Sequence, residues 1–219
     1  MRNWFTAVSS FALGMGTLAL VTSMAERPVV GKEPRFAQLR MEDLNEQQRP
    51  LAEEIMKISS VGIGGPYNGL LRSPVMAERM FRLVDYLRFN TSVPRKLNEF
   101  AILIVARQWT SQVEWYAHYP LAIKAGLSEA VAADLKEGRR PAAMQPDEAA
   151  IYDFLIELST RREVSDATFD HLRGFLSEQQ IVDLVTVSGT YVTVAMLLSA
   201  ADQGVPAGKT PPLKPLATK

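Results

Sequence analysis

The sequence predicts an all-α domain of about eight helices. Three observations carry that prediction. Apolar residues recur at three- and four-residue spacings through most of residues 41–204. β-branched runs are short, and each reads better as part of a helix. Proline, serine and glycine fall where such helices would start and stop. No tandem repeat is evident, and 219 residues suffice for one domain with a full core.

Residues 1–25 carry a single charge, Arg2, and their apolar run is densest over 11–21. Ser23 and Ala25 supply small residues at a signal-peptidase site. This pattern predicts a signal peptide cleaved after Ala25, and so an exported protein, periplasmic or secreted. The alternative is an N-terminal membrane anchor, since residues 4–24 approach spanning length. Residues 26–40 form an extended lead-in, and residues 41–204 the helical domain. In the first helix, 41–58, Leu44, Leu51, Ile55 and Ile58 share helical spacing, with Pro50 as an interruption. Residues 60–73 (SVGIGGPYNGLLRS) read as a glycine-rich connection. It lacks the Gly-Lys-Ser/Thr ending of a phosphate loop. Its functional reading is a pocket rim bearing Tyr67, Asn68 and Arg72.

Ser73-Pro74 marks the start of a helix reaching about residue 89, with Met80, Leu83, Val84 and Leu87 inward. Pro94 opens the next, where Leu97 and residues 100–106 are apolar nearly all round. That helix is expected at the centre of the fold. Glu99 lies inside it, and a buried carboxylate is costly unless it is paired or used. Residues 111–125 follow as a helix ending on Gly126. Shorter or amphipathic helices cover 128–138, 146–161 and 165–175, the last with Phe169, Leu172 and Phe175 inward. The longest helix, 177–201, is apolar on more than one side, as either a subunit interface or an internal helix would be. Residues 205–219 are rich in proline and lysine and are expected to form a flexible tail.

Composition excludes several functions. There is no cysteine, hence no disulfide, thiolate metal site or thiol redox chemistry. Lysine plus arginine and aspartate plus glutamate each number 24. Removing residues 1–25 takes away Arg2 and no acid, leaving a net charge of −1. Nothing there argues for nucleic acid.

The chemistry concentrates in residues 107–126, RQWTSQVEWYAHYPLAIKAG. A helix stacks Ser111, Glu114 and His118 on one face, among Trp109, Trp115, Tyr116 and Tyr119. Ser111 is about 10 Å along the axis from His118, too far for direct activation as a nucleophile. No metal is expected, because one histidine and one or two carboxylates make a weak ligand set. His171, the other histidine, sits in a charged amphipathic helix and reads as a surface residue. Proton transfer remains: His118 titrates near neutrality, and Glu99 or Glu114 is positioned to orient and tune it. A substrate carboxylate would be met by Arg72, Arg107 or Arg139. The blander alternative is a satisfied core histidine or an ordinary Glu114–His118 ion pair.

At these residues the chain resembles the carboxymuconolactone decarboxylase family, whose fold is shared with the alkyl hydroperoxidase AhpD. The resemblance spans roughly residues 65–204. It is strongest in PYNGLLRSP (66–74), LNEFAILIVARQW (97–109) and VEWYAHYPLAIKAGL (113–127), with support from VSDATFDHL (164–172). The peroxidase branch carries CxxCxxxH; here Ser111 and Glu114 stand at the cysteine positions, and His118 and Glu99 match the histidine and upstream glutamate. The resemblance therefore implies the proton relay without the redox half, and no peroxidase activity. Glu114-Trp115-Tyr116-Ala117-His118 fits the Glu-Trp-x-x-His of the decarboxylase branch. That implies decarboxylation of a lactone acid with no cofactor, in a homotrimer or homohexamer. In this reading His118, Glu99 and Glu114 are catalytic, Trp115 and Tyr116 shape the pocket, and Ser111, Arg72, Arg107 and Asn68 contact the substrate. The export signal points to a relative acting on another lactone or keto acid. The competing expectation is an exported binding or structural protein of the same fold.

Overall fold

Residue 94 onward is organised around one helix that has no polar face to speak of. The structure, a computed structural model, describes residues 33–59 and 61–216. The expected signal peptide lies outside the described residues, as does the lead-in up to residue 32. Among the described residues there are nine α-helices and no strand. They are α1 (Arg49–Ile58), α2 (Pro66–Leu70), α3 (Pro74–Asp85), α4 (Arg95–Gln108), α5 (Gln112–Lys124), α6 (Glu129–Lys136), α7 (Pro146–Arg161), α8 (Asp166–Arg173) and α9 (Glu178–Ala200).

Helix α4 is the axis. Every residue from Leu97 to Arg107 is buried, as its nearly continuous apolar surface demands. Helices α5, α6, α7 and α9 pack against it. The main core joins Phe100, Ile102, Leu103 and Ile104 of α4 to Trp115, Ile151, Leu172, Leu184 and Val187. A second core joins Leu44, Leu51, Ile55, Leu70, Leu71 and Phe81. Helix α9 is long and apolar enough to cross a membrane, yet Ile181, Leu184, Val187, Tyr191, Ala195 and Leu198 are buried in the domain.

Several expectations need correction. The first helix begins at Arg49, not near 41; Met41–Asp43 is a separate 3-10 turn. Pro50 therefore opens α1 rather than interrupting it, because a first-turn residue has no N–H to lose. The glycine-rich connection contains α2 (Pro66–Leu70), which its four glycines obscured. Pro66 starts it, and Gly69 lets it approach α9: a Cβ there would lie 3.1 Å from Leu197 side-chain atoms. Helix α3 ends at Asp85 and gives way to a π-helical turn, Tyr86–Asn90. Leu83, Ile58, Phe169 and Phe175 are exposed, while Ala77 and Phe81 carry the inward face of α3.

The tail is also more ordered than its composition implied. Leu213 is buried in the main core. Gln112 clamps it from both sides: Gln112 Nε2 donates to the Leu213 carbonyl (2.9 Å), and the Leu213 N–H donates to Gln112 Oε1 (2.8 Å). Arg107 donates to the Lys214 carbonyl at 3.0 Å, and Leu216 lies against Gly138.

Candidate functional site

A tight turn joins α4 to α5. Thr110 takes a left-handed conformation (φ 50), and the Ser111 N–H donates back to the Ala106 carbonyl at 2.8 Å. The two helices thus run side by side, which brings Glu99 of α4 across from His118 of α5. His118 Nδ1 lies 2.7 Å from Glu99 Oε2. On its other side, His118 Nε2 lies 3.1 Å from the Tyr191 hydroxyl of α9, with the two rings edge to face at 4.9 Å. All three residues are buried.

Burial holds the His118 pKa below its ordinary value, and the positive charge of Arg88 adds to that lowering; Glu99 pulls the other way. Burial also pushes the Tyr191 phenol up, so it keeps its proton. A neutral imidazole facing a protonated phenol accepts at Nε2, which leaves the ring proton on Nδ1 for Glu99. The result is an ordered carboxylate–imidazole–phenol chain drawn from three helices.

Glu114 is different. It is buried, and neither of its carboxyl oxygens has a hydrogen-bond partner among the described residues. Desolvation pushes its pKa up to about 8, so it is a neutral acid at physiological pH. Ser111 lies close enough to act against that shift, but its Oγ makes no bond within hydrogen-bonding geometry. Buried polar atoms are nearly always partnered, so three together mark a place where a ligand or water belongs. A groove of about 300 Å³ is lined by Ser111, with Thr110, Gln112, Val113, Leu198 and Gln203, but not by Glu114.

The structure brings together Glu99, Glu114, His118 and Ser111, and it settles which acid meets the histidine: Glu99 bonds it and Glu114 does not. Trp115 is buried and stacks on Tyr119 at 6.2 Å; Tyr116 is on the surface side of α5. The other expected contacts point elsewhere. Asn68 holds the lead-in, accepting from the Leu39 N–H (2.9 Å) and donating to the Phe36 carbonyl (3.3 Å). Arg72 donates to the Ala37 carbonyl and covers the Phe36 ring. Arg107 is engaged by the tail, and Arg139 by Asp134 at 2.7 Å. A wider groove of about 720 Å³ between α3 and α9 is lined by Met76, Met80, Leu83, Thr186 and Thr190, and by none of the expected site residues. Among the described residues no three His, Asp or Glu side chains converge to hold a metal ion.

Sequence reasoning missed Tyr191 and Arg88. Tyr191 was legible only as one apolar position in a long apolar helix. Arg88 sits in a π turn, a feature enriched at functional sites but without a sequence signature.

The fold is AhpD-like. A structure titled alkylhydroperoxidase AhpD core, an uncharacterized peroxidase-related protein from Ralstonia eutropha JMP134, superposes with a TM-score of 0.68 at 15% identity, covering 80% of this chain and 93% of that one. An uncharacterized peroxidase-related protein from Silicibacter sp. TM1040 gives 0.68 at 16% identity, covering 83% and 96%. A protein of unknown function from Agrobacterium tumefaciens gives 0.55 at 18% identity, covering 62% and 94%. No family model and no curated protein sequence matches the chain. At these identities the likeness is one of fold. With no cysteine at positions 111 and 114, this chain does not carry thiol peroxidase chemistry.

Proposed function

We propose that the protein is a proton-transfer enzyme of carboxymuconolactone decarboxylase-like type, a lyase or isomerase that needs no cofactor. Its substrate is a small lactone or carboxylic acid. The observation that carries this reading is the unpartnered, buried trio of Ser111 Oγ and the two Glu114 oxygens, with Ser111 lining a groove and Glu114 one helix turn from a fully partnered His118. Neutral Glu114 donates a hydrogen bond to a carbonyl oxygen that gains negative charge in the reaction. A proton leaving the ligand passes to the Tyr191 oxygen as the phenol proton moves to His118 Nε2. Glu99 then stabilises the imidazolium. Proton delivery runs the same path in reverse.

The apolar segment 1–25 extends the proposal to an exported protein. Val75, Met76, Leu83, Val182 and Val185 are exposed on α3 and α9, and they support subunit packing into a homotrimer or homohexamer.

A second reading, a non-catalytic binding or structural protein, has its own support. The His118 side chain is only 8% exposed, and neither groove is lined by it. The deciding experiment is turnover of a panel of lactones and small carboxylic acids by wild type and His118→Gln, with folding checked by circular dichroism. The enzyme reading expects turnover that the variant loses. Unchanged turnover in a folded variant would sink it, and stoichiometric binding without turnover in the wild type would favour the second reading.

A further inference from the structure

Residues 205–216 form no helix or strand, yet they return to the domain beside the groove that Ser111 lines. This strap leaves α9 through Gln203 and Gly204, which line the groove, and comes back onto Gln112, which lines it too. Both of its feet therefore stand at the groove, one at the end of α9 and one at the start of α5.

The fastening is small. The Gln112 carboxamide meets the N–H and the carbonyl of Leu213, the Leu213 side chain is buried, and Arg107 Nη2 donates to the Lys214 carbonyl. Arg107 Nε and Nη1 stay buried without a partner among the described residues, so the closed arrangement carries a penalty. A segment held by one buried leucine and three hydrogen bonds opens at a lower free energy than the domain unfolds.

The turn under Gln112 has little else to hold it. Thr110 takes a left-handed conformation (φ 50), which is strained for a β-branched residue. Ser111, the N-cap of α5, makes no side-chain cap bond, and Glu114 in the first turn has no partner. Of the polar side chains at 111, 112 and 114, Gln112 alone is hydrogen-bonded. One turn further on, His118 is held from both sides by Glu99 and Tyr191 and is the fixed end. The groove meanwhile stops at Ser111: neither Glu114 nor His118 lines it. A ligand that reaches Glu114 from the groove has to displace this turn.

We propose that residues 205–216 are a latch that keeps the first turn of α5 shut over Glu114. Release of Leu213 frees Gln112, lets residues 110–113 swing, and joins the groove to the Glu114 carboxyl. The inference rests on the ligand site proposed above, because the latch controls entry to it. The opening itself does not depend on any turnover there.

The test exploits the absence of cysteine, which makes a single introduced thiol a clean reporter. Glu114→Cys is placed in the full chain and labelled with a small methanethiosulfonate reagent, with folding checked by circular dichroism. Thr160→Cys, on the surface, gives the rate of an unhindered thiol. Labelling at 114 is expected to be far slower than at 160. Adding Leu213→Ala should speed it about thirtyfold or more, and Gln112→Ala about fivefold or more. Leu172→Ala, which empties a core site away from the strap, destabilises the whole domain and should leave the rate at 114 unchanged. Three outcomes would each overturn the latch: labelling at 114 as fast as at 160, no acceleration by either latch variant, or equal acceleration by Leu172→Ala. Should Leu213→Ala not fold, Gln112→Ala decides. Should Glu114→Cys not fold, Ser111→Cys replaces it, since the Ser111 Oγ is buried as well. Turnover plays no part in this readout, so a failed latch leaves the enzyme reading intact, and a failed substrate panel leaves the latch standing.

Discussion

Glu99 and His118 meet at 2.7 Å across the α4–α5 hairpin, 19 positions apart in sequence. The contact orients the imidazole and opposes the lowering of its pKa by burial. Glu99→Gln keeps the shape and removes the charge, so the His118 pKa should fall further. Replacing Tyr191 by Phe removes a donor that favours the neutral ring, so the pKa should rise. Nitrogen-detected NMR titration of the imidazole reads both. Shifts in the same direction in the two variants would contradict the chain as described.

Stability should respond to the same variants. Tyr191→Phe strands a buried nitrogen and should cost about 1–2 kcal/mol. Glu99→Gln weakens a charge-assisted bond and should cost about 1–3 kcal/mol. Both costs are read from urea unfolding at pH 7. The two residues share a partner, so the double variant should cost less than the sum. Full additivity would show that the three groups do not act as a unit.

Glu114 should make the fold less stable as pH rises. Its folded pKa, about 8, lies above the ordinary 4.5, so the unfolded chain gives up that proton first. Stability falls from about pH 4.5 and levels off above about 8, by at most about 4–5 kcal/mol at about 1.4 kcal/mol per pH unit. His118 acts oppositely: its folded pKa is lowered, so the stability of its neutral form is lost as pH drops below about 6.5. Glu114→Gln should therefore stabilise the protein most at pH 8–9 and hardly at all at pH 4. Melting temperatures across that range check it, and a gain that does not depend on pH would count against a neutral Glu114.

The same titration should appear in turnover. If neutral Glu114 donates to the ligand, kcat/KM should fall as pH passes about 8, where it ionises. The amide of Glu114→Gln also donates but does not ionise there. A high-pH limb that persists in this variant would assign the limb to another group.

The tail should matter for stability. Leu213→Ala removes a buried side chain and should cost about 2–4 kcal/mol. Gln112→Ala cuts both clamping hydrogen bonds. Hydrogen exchange should then quicken at the Leu213 amide and in the first turn of α5. Unchanged exchange would mean that the clamp holds nothing.

How much of this was legible depends on the kind of signal. Continuous apolar character over residues 97–106 was enough to place α4 at the centre, because only an interior accepts such a surface. Leu83, Phe169 and Phe175 went wrong for the converse reason: apolar residues are tolerated outside, and periodicity alone does not say which of two adjacent stripes is covered. Glu99, Glu114 and His118 stood out as polar groups in apolar settings. Which acid would meet the histidine was left open, since a helix register allows Glu114 at i, i+4 as readily as a neighbouring helix allows Glu99. Arg72, Arg107 and Asn68 were chosen by residue type, and type carries no information on direction.

By itself the sequence determined the all-α class, the central helix, the absence of thiol chemistry and the stretch in which acid–base groups gather. These follow from local periodicity and residue identity, which need no partner to be read. Tertiary structure decided the rest: that Glu99 takes His118, that Tyr191 closes the chain, and that Glu114 is buried with no hydrogen-bond partner among the described residues. Each of those depends on desolvation and on distances of a few ångströms between residues far apart in the chain. Only packing sets those quantities.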